Sequence, residues 1–291
     1  MKLSELFTQG KFVISTEVGP PKGIEIEKAL DEAELLRGKV DAFNVTDLQS
    51  SVMRLGALPT CHLLKKRGLE PIFQVTCRDR NRLALQSDIL GAAVLGIENL
   101  LLLTGDHPTL GDHPGAKPVF DLDSVQLIAA VKGLMEKKDM EGNQLEGKAP
   151  EFCIGAVVNP GADPIIPQII KMEKKMRAGA QFFQTQAVFE VDKFARFVEK
   201  VKHLEIPIMA GIVFLKSAGM ARYMNKNVAG VFVPDEIISE MEKVEKEKRP
   251  EKSIEIASRI IKKLKGLCQG VHIMSLGWER YIPAVLEQSG L

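Results

Sequence analysis

Residues 99–104 have the sequence Asn-Leu-Leu-Leu-Leu-Thr, and Gly105 and Asp106 follow them directly. Four consecutive leucines leave no polar face, which is typical of a parallel strand that is buried on both sides. Seven further short runs rich in apolar and β-branched residues occur along the chain. Together with the leucine run they predict eight strands, at residues 12–18, 42–46, 71–76, 99–104, 152–158, 181–186, 208–214 and 271–276.

Longer amphipathic segments separate these strands and predict helices. They cover residues 24–37, 52–67, 80–95, 124–137, 164–177 and 191–201, a longer helical stretch from 218 to 265, and a last helix after Trp278. Eight strands alternating with helices favour an α/β fold in which residues 1–291 form a single (β/α)8 TIM barrel. An open doubly wound sheet is the alternative, but residues 18–23 lack the G-x-G-x-x-G turn expected after its first strand.

The composition excludes several classes of protein. The chain has 39 basic and 38 acidic residues, a net charge of +1, so no electrostatic footprint for nucleic acid is present. The apolar runs are of strand length and no secretory signal is visible, so we expect a cytoplasmic protein without a membrane span. The four cysteines are scattered and form no C-x-x-C pair, which predicts reduced, buried thiols.

Glu17 is the first candidate for chemistry, because functional groups of a barrel lie at the C-terminal ends of its strands. It ends the first predicted strand and is followed by Gly19-Pro20-Pro21, a stiff turn that fixes its position. A carboxyl group held at the mouth of a barrel, partly removed from water, can donate a proton near neutral pH. The position of Glu17 therefore makes it a candidate for an acid catalyst, beside the alternative of an ordinary polar strand end.

Polar residues end the other predicted strands as well: Thr46-Asp47, Thr76, Thr104-Gly105-Asp106, Asn159, Gln184, Gln186 and Lys216. Gly105 permits a close approach of the backbone to a ligand, and Asp106 places a negative charge beside it. Glutamines at a barrel mouth can present a donor and an acceptor to a heterocycle. Three lysines at 171, 174 and 175 form either a solvated helix face or a phosphate site near the rim.

The tetrapeptide Gly-Asp-His-Pro occurs twice, at residues 105–108 and 111–114. Paired Asp-His units could bind a metal, but His-Pro turns in a loop are the commoner arrangement. His62, His203 and His272 have no evident partner at ligand spacing, so no metal site is predicted.

Four motifs in chain order resemble the methylenetetrahydrofolate reductase family over nearly the whole chain. They are Ser15-Thr16-Glu17-Val18-Gly19-Pro20-Pro21-Lys22, Asn44-Val45-Thr46, Leu103-Thr104-Gly105-Asp106-His107-Pro108, and Ala178-Gly179-Ala180 followed by Phe183-Gln184-Thr185-Gln186. The resemblance implies a non-covalent flavin, FAD or FMN, and a ping-pong reaction. Reduced flavin N5 would pass hydride to 5,10-methylenetetrahydrofolate and yield 5-methyltetrahydrofolate.

The resemblance also implies roles for individual residues. Glu17 would protonate folate N10, which opens the five-membered ring to an iminium ion, and the charge of Asp106 would favour that cation. The substrate-binding positions are Gln184, Gln186, which would anchor the pterin, Tyr223, Met224 and Leu276. The cofactor-binding positions are Thr46, Gln74, Thr104, Gly105, Asp106, Asn159, Gln168, Lys174, Lys175, which matches a phosphate-contacting lysine, and Ala180.

The sequence departs from the family pattern at several positions. Thr104 replaces an Arg, Gln74 and Asn159 replace His, Gly155 replaces a Tyr, and Gln168 replaces an Asp. These changes fall mainly on the part that holds the dinucleotide, which makes FMN a candidate beside FAD.

Around the nicotinamide position, Met220 and Met224 replace a Gln and a Phe, and Tyr223 is the neighbouring aromatic. The electron source is therefore either NAD(P)H or a reduced partner protein. In a related branch found in acetate-forming anaerobes that partner is an iron–sulfur subunit, and we expect an oligomer or a hetero-complex.

Two other classes remain open. A metal- or Schiff-base-dependent barrel lyase could use Glu17 and Lys216. A pterin-binding subunit of a larger complex would have lost catalysis, although binding alone does not require the acid Glu17 together with Asp106 and Gln186.

Overall fold

The computed structural model describes residues 1–291 and contains eight strands. The strands are β1 (Val13–Val18), β2 (Ala42–Val45), β3 (Pro71–Thr76), β4 (Asn99–Leu103), β5 (Cys153–Val158), β6 (Phe182–Ala187), β7 (Ile208–Val213) and β8 (Gly270–Met274). The helices are α1 (Leu3–Thr8), α2 (Glu27–Glu34), α3 (Ala57–Lys66), α4 (Arg82–Val94), α5 (Ser124–Met135), α6 (Ile166–Ala178), α7 (Val191–Val201), α8 (Ala218–Asn227), α9 (Asp235–Glu242), α10 (Arg249–Leu264) and α11 (Ile282–Ser289).

The strands form a closed parallel barrel in chain order, with β8 paired to β1. The predicted (β/α)8 barrel is confirmed. Each strand lies within two residues of its predicted bounds, because short apolar runs between polar turns mark buried parallel strands clearly. The register places Glu17 beside Asn44 on β2, and Ser15 beside His272 on β8.

Two separate groups of apolar side chains pack on the two faces of the barrel wall. The larger group lies between strands and helices and includes Leu100 and Leu102. The smaller group fills the barrel interior near the N-terminal ends of the strands and includes Leu101 and Phe182. The leucine run of β4 thus serves both faces, as a strand buried on both sides requires.

Helix α1 closes the bottom of the barrel and is not among the predicted helices. Its Leu3 and Leu6 join the interior group, and Phe7 lies 5.8 Å from the ring of Phe182. Asn99 Oδ1 accepts a hydrogen bond of 2.7 Å from the Leu3 amide and ties the helix to β4. A single short amphipathic turn gives little periodicity in the sequence, which is why it was missed.

A polar layer lies inside the barrel above the apolar layer. Ser15, Asn44, Gln184 and His272 are all at most 4% exposed and come from four strands. Asn44 Nδ2 donates a 3.2 Å hydrogen bond to Gln184 Oε1. Because β2 and β6 are not neighbours, this bond crosses the barrel interior. The polar layer thus lies directly below the polar groups at the mouth of the barrel.

The predicted helical stretch from 218 to 265 is wrong as one element. It consists of α8, α9 and α10. Gly230, with φ 72°, and Pro234 separate the first two helices, since a left-handed residue and a proline without an amide hydrogen end the helical hydrogen-bond pattern.

The four cysteines are buried free thiols, as predicted. No helix in the structure has both the length and the apolar composition that crossing a bilayer requires.

Candidate functional site

Two clefts open side by side at the C-terminal mouth of the barrel. The β1 cleft has a volume of about 350 Å³, and its wall includes Glu17, Gln49, Arg54, Leu276 and Glu279. The β4 cleft has a volume of about 330 Å³, and its wall is formed by residues 47–50, 103–106 and 157–159 with Gln74, Thr76, Arg78, Ser124, Gln168, Lys171 and Lys175. Gln49 lines both, so a ligand in one cleft is adjacent to a ligand in the other.

Glu17 stands in the β1 cleft with a side chain only 16% exposed. Its Oε1 lies 3.6 Å from Nε2 of His272, which is buried inside the barrel. On the other side of the ring, Nδ1 of His272 lies 2.9 Å from Oγ of Ser15, within hydrogen-bond distance. The Ser15 contact thus fixes the imidazole between β1 and β8, and the ring lies directly below the carboxyl group of Glu17.

Gly105 shapes the β4 cleft. Its φ of 92° is a conformation that L side chains rarely adopt, and a Cβ atom there would lie 3.1 Å from Cβ of Thr76. The absence of a side chain lets the backbone turn sharply after β4 and presents the exposed carboxylate of Asp106 at the rim.

Lys175 is the buried cation of the β4 cleft, 4% exposed. Its ammonium donates a 2.7 Å hydrogen bond to the Val157 carbonyl. Burial, with a smaller contribution from nearby Lys171, lowers the pKa of Lys175 to about 8, so the group is still charged at neutral pH. A buried cation without a counter-ion in contact is suited to an anionic ligand.

Asp47 braces the end of β2 against β3. Its Oδ2 accepts hydrogen bonds of 2.9 Å from both the amide and the hydroxyl of Thr76, and it pairs with the Arg80 guanidinium. These contacts stabilise the wall of the β4 cleft and pair the negative charge of Asp47 with the Arg80 guanidinium.

The segment between the clefts has an unusual backbone. Leu48, Ser50 and Ser51 have φ values of 48°, 56° and 57°. Left-handed conformations at non-glycine residues cost of the order of 1 kcal/mol each and persist where surrounding contacts impose them. Arg78 supplies such contacts, since its guanidinium donates to the Leu48 carbonyl and to Ser51 Oγ. Gln49 is thereby held at the boundary of the two clefts.

The structure brings together seven predicted cofactor residues in the β4 cleft: Gln74, Thr104, Gly105, Asp106, Asn159, Gln168 and Lys175. Glu17 and Leu276 line the β1 cleft. The amide of Asn159 is engaged by the protein itself, because its Nδ2 donates to the Ala229 carbonyl and its Oδ1 accepts from the Gly161 amide.

Seven predicted residues line neither cleft: Thr46, Lys174, Ala180, Gln184, Gln186, Tyr223 and Met224. Thr46 is buried, and Gln184 belongs to the polar layer below the mouth. Met224 packs in the core, while Tyr223 is 65% exposed on the other side of α8. Adjacent helical positions face different directions, so the two side chains lie in different surroundings.

Gly155 is the position where the sequence resemblance expects a tyrosine. The space beside it is filled by a side chain from the neighbouring strand β6. A Cβ atom at this position would lie 2.3 Å from the ring of Phe182. The Phe182 ring therefore occupies the barrel interior beside Gly155, and the space for a side chain there is closed.

Among the residues that the fold adds to the site, sequence reasoning missed His272, Ser15, Arg78 and Ser124. His272 and Ser15 lie 257 positions apart and meet only because β8 pairs with β1. Arg78 and Ser124 lie outside the strands, in loop and helix positions that carry no local signal. For Ser15 and His272 the available signal was a polar residue at an inward position of a strand.

The described residues contain no group of three or more His, Cys, Asp or Glu side chains that could hold a metal ion. Lys216, the candidate for a Schiff base, donates to the Leu276 carbonyl, and its ammonium lies 5.5 Å from the centre of the Trp278 ring.

The fold and the site together define a (β/α)8-barrel protein with two adjoining clefts at its mouth. The model of the methylenetetrahydrofolate reductase family matches residues 2–290. The chain belongs to that family, and the resemblance in the four sequence motifs is confirmed.

Individual relatives are distant. Methylenetetrahydrofolate reductase 2 of Schizosaccharomyces pombe is 25% identical over 241 residues, which are 75% of this chain and 35% of that protein. The 5,10-methylenetetrahydrofolate reductase of Pectobacterium carotovorum is 28% identical over 218 residues, 72% of this chain and 66% of that protein. The chain spans about a third of the length of the eukaryotic relatives it matches.

One solved structure has the same fold over nearly its whole length. It is an uncharacterized protein from Clostridium thermocellum that binds two copies of 5-methyl-5,6,7,8-tetrahydrofolic acid. The TM-score is 0.62 at 17% identity, and the likeness covers 99% of this chain and 97% of that one.

Proposed function

We propose that this chain reduces 5,10-methylenetetrahydrofolate to 5-methyltetrahydrofolate with a bound flavin, and that Glu17 is the acid for folate N10. The observation that carries the proposal is the adjacency of the two clefts, which share Gln49. One cleft holds a carboxyl group supported by a buried histidine, and the other holds a buried cation. Membership of the reductase family supports the assignment.

The β4 cleft fits a flavin nucleotide. Lys175 offers a buried positive charge for a phosphate, and Gly105 allows a flat ring to approach the backbone. Ser124 Oγ is buried in the wall of this cleft without a hydrogen-bond partner in the chain, so a polar group remains for a ligand to satisfy. When bound there, a flavin supplies hydride transfer from its reduced ring.

The β1 cleft places the acid. Glu17, protonated, donates its proton to N10 as the bond from N10 to the methylene carbon breaks, and becomes a carboxylate. His272, 3.6 Å away, keeps the carboxyl group in place and stabilises the charge that develops on it. The exposed carboxylate of Asp106, at the rim of the neighbouring cleft, favours the cationic form of the opened folate electrostatically.

The electron donor belongs to the proposal as well. Tyr223 is exposed and Met224 is buried in the core, so no aromatic side chain of α8 lines either cleft. This arrangement supports electron delivery by a partner protein rather than by direct NAD(P)H binding.

One anaerobic spectroscopic experiment tests these statements. We expect the purified protein to show flavin absorbance and to release FMN, to remain oxidised when NADH is added, and, after chemical reduction, to be reoxidised by 5,10-methylenetetrahydrofolate. A colourless protein that binds no added flavin would refute the reductase assignment. Rapid bleaching by NADH would refute the need for a partner protein.

His272 is expected to act as a positioning residue for Glu17. In His272→Asn the amide remains near Ser15 but no longer reaches Glu17, whereas in His272→Gln the amide extends toward Glu17. We expect the Asn variant to lower kcat for folate reduction about 10-fold. The Gln variant should lower kcat only about 3-fold, which is half of that loss in activation free energy, and KM should be nearly unchanged in both.

Stopped-flow reoxidation of the chemically reduced protein measures this effect, and flavin content serves as the control for folding. Equal kcat values for the Asn variant and the wild type would exclude a role of His272 in holding the acid.

A further inference from the structure

Ser124 is a buried hydroxyl residue in the wall of the β4 cleft. It is 1% exposed, its Oγ has no hydrogen-bond partner in the chain, and it lines the cleft. An unsatisfied buried hydroxyl costs free energy unless a ligand or water completes it. Neither the motifs nor the family resemblance assign any role to this residue.

Ser124 is also the first residue of α5, a helix of 12 residues. The positive end of the helix dipole and the first amide group of the helix therefore lie beside the hydroxyl. Asp123 caps the helix, and its carboxylate accepts hydrogen bonds from the amides of Val125 and Gln126. The Ser124 amide precedes these two and is left available.

Two lysines line the cleft together with Ser124. Lys171 and Lys175 lie four residues apart on α6 and therefore on one face of that helix. Burial lowers the pKa of Lys175 to about 8; Lys171 contributes a smaller lowering and Asp123 an opposing rise, and no carboxylate forms an ion pair with Lys175.

We propose that the first turn of α5, with Ser124 as hydroxyl donor and Lys171 and Lys175 beside it, is a subsite for the phosphomonoester of the cofactor. A phosphomonoester carries a charge of about −1.5 to −2 near neutral pH and has three acceptor oxygens, whereas each phosphate of a dinucleotide carries about −1. Two ammonium groups and a helix N-terminus that line the same cleft match the more concentrated charge. The inference rests on the proposed function, because a flavin nucleotide is the source of the phosphate.

Equilibrium titration of flavin-free protein with riboflavin, FMN and FAD tests the subsite without any turnover. We expect the wild type to bind FMN about 100-fold more tightly than riboflavin, and more tightly than FAD. In Ser124→Ala the advantage of FMN over riboflavin should fall about 10-fold, while the affinity for riboflavin changes less than about 2-fold.

Ser253→Ala is the matched control. Ser253 is likewise 1% exposed with an unpartnered hydroxyl, but it lies on α10 and lines neither cleft. Its variant should keep the full advantage of FMN, so a loss in Ser124→Ala alone cannot be ascribed to removing a buried hydroxyl in general.

The outcomes separate the two proposals. A protein that binds none of the three flavins refutes the proposed function and the subsite together. Three other results refute the subsite and leave the reductase assignment standing. They are equal affinities for FMN and riboflavin, tighter binding of FAD than of FMN, and an unchanged preference for FMN over riboflavin in Ser124→Ala.

Discussion

Glu17→Gln is expected to lower kcat for folate reduction by about 100- to 10,000-fold, the range that a positioned general acid contributes. The amide has nearly the shape of the carboxyl group but cannot release a proton to N10. Flavin binding should not change, because Glu17 lines the β1 cleft and the proposed flavin position is the β4 cleft. Single-turnover reoxidation of reduced protein by 5,10-methylenetetrahydrofolate measures the loss.

Glu70→Gln provides the matched control for this substitution. The side chain of Glu70 is 16% exposed, as is that of Glu17, but it lies at the opposite end of the barrel beside the N-terminus and Lys65. We expect this variant to lose some stability and to keep its kcat. If Glu17→Gln retained more than about a third of the wild-type kcat, Glu17 would not be the acid.

Lys175→Met is expected to make the flavin-free protein more stable and to weaken FMN binding about 100-fold. The ordinary pKa of lysine, 10.5, falls to about 8 in the folded chain, which corresponds to about 3 kcal/mol against folding at neutral pH. Losing the hydrogen bond to the Val157 carbonyl subtracts about 1 kcal/mol, so the net gain in the free energy of unfolding is about 2 kcal/mol.

The gain in the free energy of unfolding of Lys175→Met over the wild type should decrease as the pH rises above 8. Below pH 8 the lysine is charged in both states, and the folded wild type carries the full penalty. Between pH 8 and 10.5 the unfolded chain binds more protons than the folded one, so the wild type gains stability as the pH rises and the difference between the proteins narrows.

Urea unfolding of the flavin-free proteins at about pH 7 and about pH 9.5 checks this prediction. Lys174→Met is the control, since Lys174 is the exposed neighbour on the same helix and lines neither cleft. We expect it to change the free energy of unfolding by less than about 0.5 kcal/mol. A destabilised Lys175→Met protein at neutral pH would show that the ammonium contributes more to the fold than its burial costs.

Most of the barrel could be predicted because each strand is specified by its own residues. The leucine run of β4 and the Gly-Asp that follows it mark a buried strand and a mouth position without reference to any other part of the chain. Helix α1 and the breaks between α8, α9 and α10 were not predicted. Their limits depend on a short segment docking against the barrel and on single turn residues, which are weak local signals.

The residues of the candidate site likewise fall into two groups, those identifiable from the sequence and those that only the fold brings together. Glu17, Asp106 and Gly105 were identifiable from the sequence, since strand ends and glycine turns are local features that the barrel brings to one edge. The tertiary structure alone decided that His272 lies between Ser15 and Glu17, that Ser124 lines the same cleft as Lys175, and that Met224 is buried in the core. Such pairings depend on closure of the barrel and on which face of each helix packs against it. Residues far apart in the chain do not reveal from their local sequence that they will meet.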